Sequence, residues 1–191
     1  MEKVIKARWQ NWSGDAEENL VLKETQLGIF AESVITSNGS KPFTLTYRIM
    51  CDHSWRVRTL DIELVEASKK LALESDGLGQ WSHDSDIIAK LNGAIDIDIS
   101  ATPFTNTLPI RRLKIKESQT EEISVVYIAV PELNVSIDRQ RYTCLILNRR
   151  YRFEQIDTGF VREIETDENG FVIVYPGLFK RIQESESETE V

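Results

Sequence analysis

Apolar and polar residues alternate along most of this chain. In residues 3–12, Val4, Lys6 and Arg8 fall on one parity and Ile5, Ala7 and Trp9 on the other. Residues 43–51 set Phe43, Leu45, Tyr47, Ile49 and Cys51 against Thr44, Thr46, Arg48 and Met50, and residues 55–66 repeat the pattern. A period of two sustained this long predicts strands, because successive side chains of an extended chain point to opposite faces. Shorter strands are expected at 20–24, 28–36, 69–75, 80–82, 94–100, 111–116, 123–130, 142–147, 151–156, 160–166 and 171–175. Ser37-Asn38-Gly39-Ser40, Asp76-Gly77 and Asp167-Glu168-Asn169-Gly170 separate several of them with residues suited to tight turns. Residues 84–91, stopped at Asn92-Gly93, read as a short helix, and 102–109 as a turn-rich crossover.

The fold class that follows is all-β and mainly antiparallel, with one short helix. Composition agrees: Val, Ile and Thr total 46 residues against 25 for Ala and Leu, and β-branched residues suit a pleated, half-buried surface. About a dozen strands in one antiparallel series must hide a face and protect their edges, so a curled, barrel-like sheet or a sandwich is expected. The chain has 191 residues and no internal linker, which fits one core in residues 1–183. Residues 184–191 hold Glu184, Glu186, Glu188 and Glu190 without a basic residue and are expected to be a disordered acidic tail.

Charge narrows the function. The net charge is -8, which opposes non-specific binding to nucleic acid. No apolar run is long enough for an integral membrane segment. The charged start of the chain does not read as a secretory signal, so a cytoplasmic protein is expected. Two cysteines are too few for a disulfide scaffold or a four-thiolate zinc site. One stretch runs against the acidic balance: residues 139–152 carry Arg139, Arg141, Arg149, Arg150 and Arg152 and no acid. These arginines either pair with acids on neighbouring strands or form a patch for an anion.

Asp96 and Asp98 are the sharpest candidates for chemistry. Alternation through residues 94–100 puts them with Ser100 on one face, opposite Ile95, Ile97 and Ile99. Two carboxylates so placed can accept arginines, contact a ligand or divide acid and base work. A metal needs further ligands that the spacing of His53 and His83 does not supply, and neither a metal nor a cofactor is expected. The following segment, stiffened by Pro103 and Pro109, leads to Arg111 and Arg112, one of which is expected to meet Asp96 or Asp98; Arg141 is a third possible partner. Trp81 and Tyr142 are aromatic candidates for a ligand-lined wall, since indole and phenol combine an apolar face with a polar handle. Cys51 two residues from His53 is too loose a pair to be a nucleophilic dyad. No phosphate-loop, nucleophile-elbow or zinc-protease motif is present, and no catalytic residue is assigned.

The run Leu91-Asn92-Gly93-Ala94-Ile95-Asp96-Ile97-Asp98-Ile99-Ser100-Ala101-Thr102-Pro103-Phe104-Thr105-Asn106-Thr107-Leu108-Pro109-Ile110-Arg111-Arg112 resembles the central signature of a bacterial glycolipid-binding family, formerly a domain of unknown function. Gln140-Arg141-Tyr142, Tyr151-Arg152-Phe153 and Gly159-Phe160 fit its second half, and Val174-Tyr175-Pro176-Gly177-Leu178-Phe179-Lys180-Arg181 resembles its closing motif. The likeness spans residues 7–181. Ala94 stands where that family commonly has cysteine, and residues 16–24 lack its glycine-bearing second strand. The resemblance implies a spiral β-roll and a fold like that of periplasmic lipoprotein carriers. It transfers no catalytic set, and a fold-level analogy is a weak warrant for function.

Three functional classes remain. The first is a non-catalytic binder of a glycolipid or fatty-acid-like ligand. Its apolar cavity would be served by Trp81, Asp96, Asp98, Arg111, Arg112, Arg141, Tyr142 and Arg149, with the ligand's head at residues 139–152. The second is a hydrolase or isomerase using Asp96 or Asp98 as general base. The third is a structural or partner-binding protein with a solid core. The oligomeric state is open.

Overall fold

The computed structural model describes residues 3–182; the acidic tail expected at 184–191 lies outside them. Among the described residues the strands are β1 (Lys3–Asn11), β2 (Ala16–Thr25), β3 (Gly28–Ser37), β4 (Phe43–Cys51), β5 (Val57–Leu64), β6 (Lys69–Ser75), β7 (Trp81–His83), β8 (Asp86–Ile87), β9 (Asp96–Ile99), β10 (Thr120–Ala129), β11 (Asn134–Ile146), β12 (Arg150–Gln155), β13 (Phe160–Thr166), β14 (Val172–Tyr175) and β15 (Phe179–Arg181). All belong to one sheet, ordered β8-β7-β6-β5-β4-β3-β2-β1-β15-β14-β13-β12-β11-β10-β9. Neighbours are antiparallel except β9 and β10, which run parallel.

The alternation seen in the sequence sets this register. Leu22 faces Ala31, Ala31 faces Ile49, Ile49 faces Leu60 and Leu60 faces Leu73, a row of apolar cross-strand partners from β2 to β6. All five are buried. A one-residue slip anywhere in the row would turn a strand's apolar set to solvent, which is why the pattern fixes the pairing. The hairpin between β2 and β3 closes at Gly28, whose φ is +140° and where a Cβ would lie 2.5 Å from the Cys51 carbonyl oxygen. Only glycine fits that approach.

The strand order corrects the expected closure. It is linear and ends on two edges, β8 and β9, that make no ladder with each other. The fold is therefore an open sheet, neither the barrel nor the spiral roll that the resemblance implied. β8 is two exposed residues long, and at the end of β9 one backbone group is capped by a side chain, the Ile99 amide donating to Thr105 Oγ1 at 3.3 Å.

The helical content is also corrected. Residues 84–91 hold β8 and a single 3-10 turn (Ala89–Leu91), whereas the α-helix α1 (Thr107–Leu113) follows a 3-10 turn (Phe104–Asn106) in the expected crossover. Pro109 reads as a breaker, but in the first turn of a helix its missing N–H costs nothing. This segment makes the parallel connection from β9 to β10 and packs inward. Phe104 and Leu108 join the larger apolar cluster, and Ile110 joins a second one built on β11–β14. The middle of the molecule is filled by aromatic rings: Trp9 stacks on Phe171 (6.2 Å between ring centres), Phe171 meets Phe104 at a tilt (5.8 Å) and Phe104 stacks on Tyr47 (6.4 Å). One hollow of 760 Å³ lies across the middle of β2–β6, lined by Val21, Val34, Tyr47 and Ile62 among others, and two further clefts lie at opposite ends of β1.

Candidate functional site

Each sequence candidate has a definite place, and they do not converge on one site. Trp81 is fully buried and its Nε1 donates to the Ala94 carbonyl at 2.7 Å, a core role. Asp96 is fully buried and receives Arg112 in two-pronged fashion: Nη2 lies 2.6 Å from Oδ2, and Nε lies 3.0 and 3.1 Å from the two carboxylate oxygens. Burial pushes the Asp96 carboxyl up and Arg112 pulls it back, burial being the larger effect. The expected acid–arginine pair thus forms, and it anchors α1 to β9. Tyr142 is buried and its hydroxyl donates to Asn106 Oδ1 at 3.0 Å.

Four of the five arginines of residues 139–152 are paired with acids on a neighbouring strand, the same strand or the following turn. Arg139 pairs with Asp157, Arg141 with Glu122 and Glu154, Arg150 with Glu163, and Arg152 with Glu154. Arg149 is exposed in the turn between β11 and β12. Neither Arg141 nor Arg149 is in the lining of the clefts described below. Cys51 is buried, and burial with the charges of Asp96 and Asp52 pushes its thiol up, which disfavours the thiolate. His53 is exposed, its Nε2 3.1 Å from the Gln26 carbonyl.

Two clefts lie at opposite ends of β1. That strand's nine residues span about 26 Å at a rise near 3.3 Å per residue. At the Asn11 end is an aromatic cleft of 510 Å³ walled by Trp9, Trp12, Phe43 and Phe179. Its mouth is apolar, with Trp12 50% and Leu178 38% exposed. Beside it lies a second hollow of 250 Å³ with Tyr127, Phe153, Phe160 and Tyr175 around Asp98. The two share Ser100, Leu178 and Phe179 as a common wall.

Each hollow carries a carboxylate held in an apolar setting. Glu18, 3% exposed, lines the first. Its Oε1 accepts from Tyr47 Oη at 2.6 Å and Ser33 Oγ at 2.8 Å, and its Oε2 from Thr102 Oγ1 at 2.6 Å. Burial pushes its pKa up to about 7 against the downward pull of the three hydroxyls. Asp98 accepts from Gln140 Nε2 at 2.7 Å and Thr105 Oγ1 at 3.2 Å. Burial, helped by the nearby charge of Asp138 and opposed by those hydrogen bonds, raises it to about 6. Thr102 and Thr105 come from one short segment, so the stretch after β9 positions both acids. Glu18 was not singled out by sequence, since the strand expected in this region began at residue 20. The available signal was its parity with Leu20 and Leu22, both buried, which turns it inward.

At the Lys3 end is a basic cleft of 780 Å³, lined by Lys3, Arg56, Arg111, Arg112 and Lys114 against Glu24 and Glu168. Among the described residues no group of three or more His, Cys, Asp or Glu side chains is placed to hold a metal ion. No helix among them is long and apolar enough to cross a membrane.

Comparison with known proteins agrees with the sequence resemblance at the level of family. Residues 6–181 match the model of the family described as "Putative glycolipid-binding". A crystal structure of a DUF1089 family protein from Pseudomonas aeruginosa superposes with a TM-score of 0.79 at 35% identity, over 88% of this chain and 92% of that one. No curated protein matches the chain.

Proposed function

The chain belongs to this glycolipid-binding family, and from that premise we propose that it binds an amphipathic molecule of the glycolipid class in the aromatic cleft at the Asn11 end of β1. The observation that carries the reading is an apolar, open-mouthed cleft with a buried, hydrogen-bonded carboxylate in its lining. The half-exposed indole of Trp12 offers a face that stacks on the C–H face of a sugar, while a few polar groups fix its orientation. Glu18 and Ser100 are such groups here. Ile35, Phe43 and Val130 extend the apolar lining for an alkyl portion. The volume of 510 Å³ falls within the range of about 300–1,000 Å³ typical of small-molecule sites.

The test is titration of the protein with a fluorescent glycolipid analogue and a fluorescent fatty acid. Saturable binding is expected, weakened about tenfold or more by Trp12→Ala and unchanged by Arg149→Gln. Equal binding by wild type and Trp12→Ala, or no saturation by any analogue, overturns the reading.

Asp98 alone favours a second reading, a hydrolase or isomerase with Asp98 as acid or base. A carboxyl near pH 6 inside a hollow suits proton transfer close to neutrality. Asp96, locked to Arg112 and without exposure, has no part in it. Turnover of chromogenic glycosides and esters that disappears in Asp98→Asn while analogue binding persists would favour this reading over simple binding.

A further inference from the structure

We propose that the basic cleft at the Lys3 end is a second, independent site, which binds an oxyanion of the phosphate-ester class through Arg56, Arg111 and Lys114. These three side chains line one 780 Å³ cleft, and none has a carboxylate within ion-pair distance among the described residues. Arg112, which also lines it, is neutralised by Asp96. The setting is a chain with 31 acidic and 23 basic residues, in which the arginines of β11 and β12 did find acidic partners.

The cleft is built to hold Arg111 in place. Its guanidinium lies over the Trp55 ring, 4.9 Å from the ring centre. A guanidinium stacked this way keeps its in-plane N–H groups free for a planar or tetrahedral oxyanion. Trp55 is buried with φ +63°, a conformation that L residues with large side chains adopt only when their surroundings enforce it. Asp52 enforces it. Its Oδ1 accepts from the amides of Ser54 (2.8 Å) and Arg56 (3.0 Å), and its carbonyl accepts from the Trp55 amide at 2.9 Å. That turn sets Trp55 under Arg111 and brings Arg56 to the same cleft. On the other side Gly170, φ +80°, leaves room for the arginine stem: a Cβ there would meet Arg111 Cδ at 3.2 Å. Lys114 follows α1 in a left-handed conformation and is exposed at the rim. Convergent arginine and lysine donors in a partly enclosed cleft favour a multiply charged oxyanion over a single carboxylate.

A phosphate ester can arrive as a soluble metabolite or as a lipid headgroup, and the experiment separates them. Calorimetric titrations use inorganic phosphate, glycerol 3-phosphate, and phosphatidylcholine vesicles with and without phosphatidic acid. Saturable binding of a free phosphate or its monoester places a soluble ligand in the cleft; saturation only with phosphatidic acid vesicles places a headgroup there. In either case Arg111→Gln and, separately, Lys114→Gln are expected to weaken binding about tenfold and to reduce its salt dependence. Trp12→Ala, at the far end of β1, is expected to leave it unchanged, so the two sites fail or succeed separately. Lys114 is exposed, and its variant keeps the test valid if Arg111→Gln does not fold. No saturation in any arm up to about 10 mM phosphate, or binding that a folded variant leaves intact, overturns the proposal.

Discussion

Replacing Glu18 by glutamine isolates the energetic consequence of burying a carboxyl beneath the aromatic cleft. The folded protein raises its pKa from 4.5 to about 7. At 1.36 kcal/mol per unit the linked free energy is about 3 kcal/mol. Between those two pH values the folded chain retains a proton that the unfolded chain has released, so the unfolded state binds fewer protons and stability falls as pH rises. The contribution is complete below about pH 4.5 and is lost as pH rises through about 7. Glutamine carries no charge at any of these values. Its Oε1 can accept from Ser33 and Tyr47, and its amide can donate to Thr102 Oγ1, which already receives nothing but the Phe104 amide. Urea unfolding of wild type and Glu18→Gln across this range gives a difference curve from which the other titrating groups cancel. Wild type is expected to lose about 3 kcal/mol relative to the variant between about pH 4.5 and pH 8. A flat difference, or one that favours wild type as pH rises, would refute the assignment of a buried, protonated Glu18.

Asp96→Asn should destabilise by about 3–5 kcal/mol in urea unfolding, because it leaves the Arg112 guanidinium, 14% exposed, without its counter-charge; a loss below about 0.5 kcal/mol would place the pair in solvent. Trp81→Phe should cost about 1–3 kcal/mol by orphaning the Ala94 carbonyl, without altering analogue binding if Trp81 belongs to the core. Gly28→Ala should lower the melting temperature by several degrees through its φ of +140° and the 2.5 Å approach to Cys51; an unchanged melting curve would mean that the β2–β3 hairpin rearranges freely.

The strands were legible because burial alternates along them. In β4 and β5, Leu45, Tyr47, Ile49, Leu60, Ile62 and Leu64 are all inward, as period two requires. The closure of the sheet was not legible, since alternation says which face is buried and nothing about whether the last strand finds the first. The helix was hidden by chemistry that is ambiguous in one dimension. Pro103, Asn106 and Pro109 serve equally in a turn and at a helix start, and only packing of Phe104 and Leu108 against the core decides between them. For Asp96 and Asp98 the shared face was readable but not their divergence. The i, i+2 spacing is the same whether the partner is Arg112 or Gln140, and those partners lie 16 and 42 residues away. The arginines of residues 139–152 looked like an anion patch because their acids, Glu122, Glu154, Asp157 and Glu163, sit on neighbouring strands or turns outside the window.

The most direct test of the aromatic cleft follows the four indole N–H signals by two-dimensional NMR during titration with a soluble glycolipid analogue. The indoles of Trp9 and Trp81 are each bonded to a backbone carbonyl at 2.7 Å, Trp12 stands at the mouth of the aromatic cleft and Trp55 in the basic cleft at the other end of β1. Saturable movement of the Trp12 signal, with Trp81 and Trp55 still, is the result predicted. A titration that leaves Trp12 unmoved, or that shifts Trp55 or Trp81 in its place, would contradict the location and with it the proposed function.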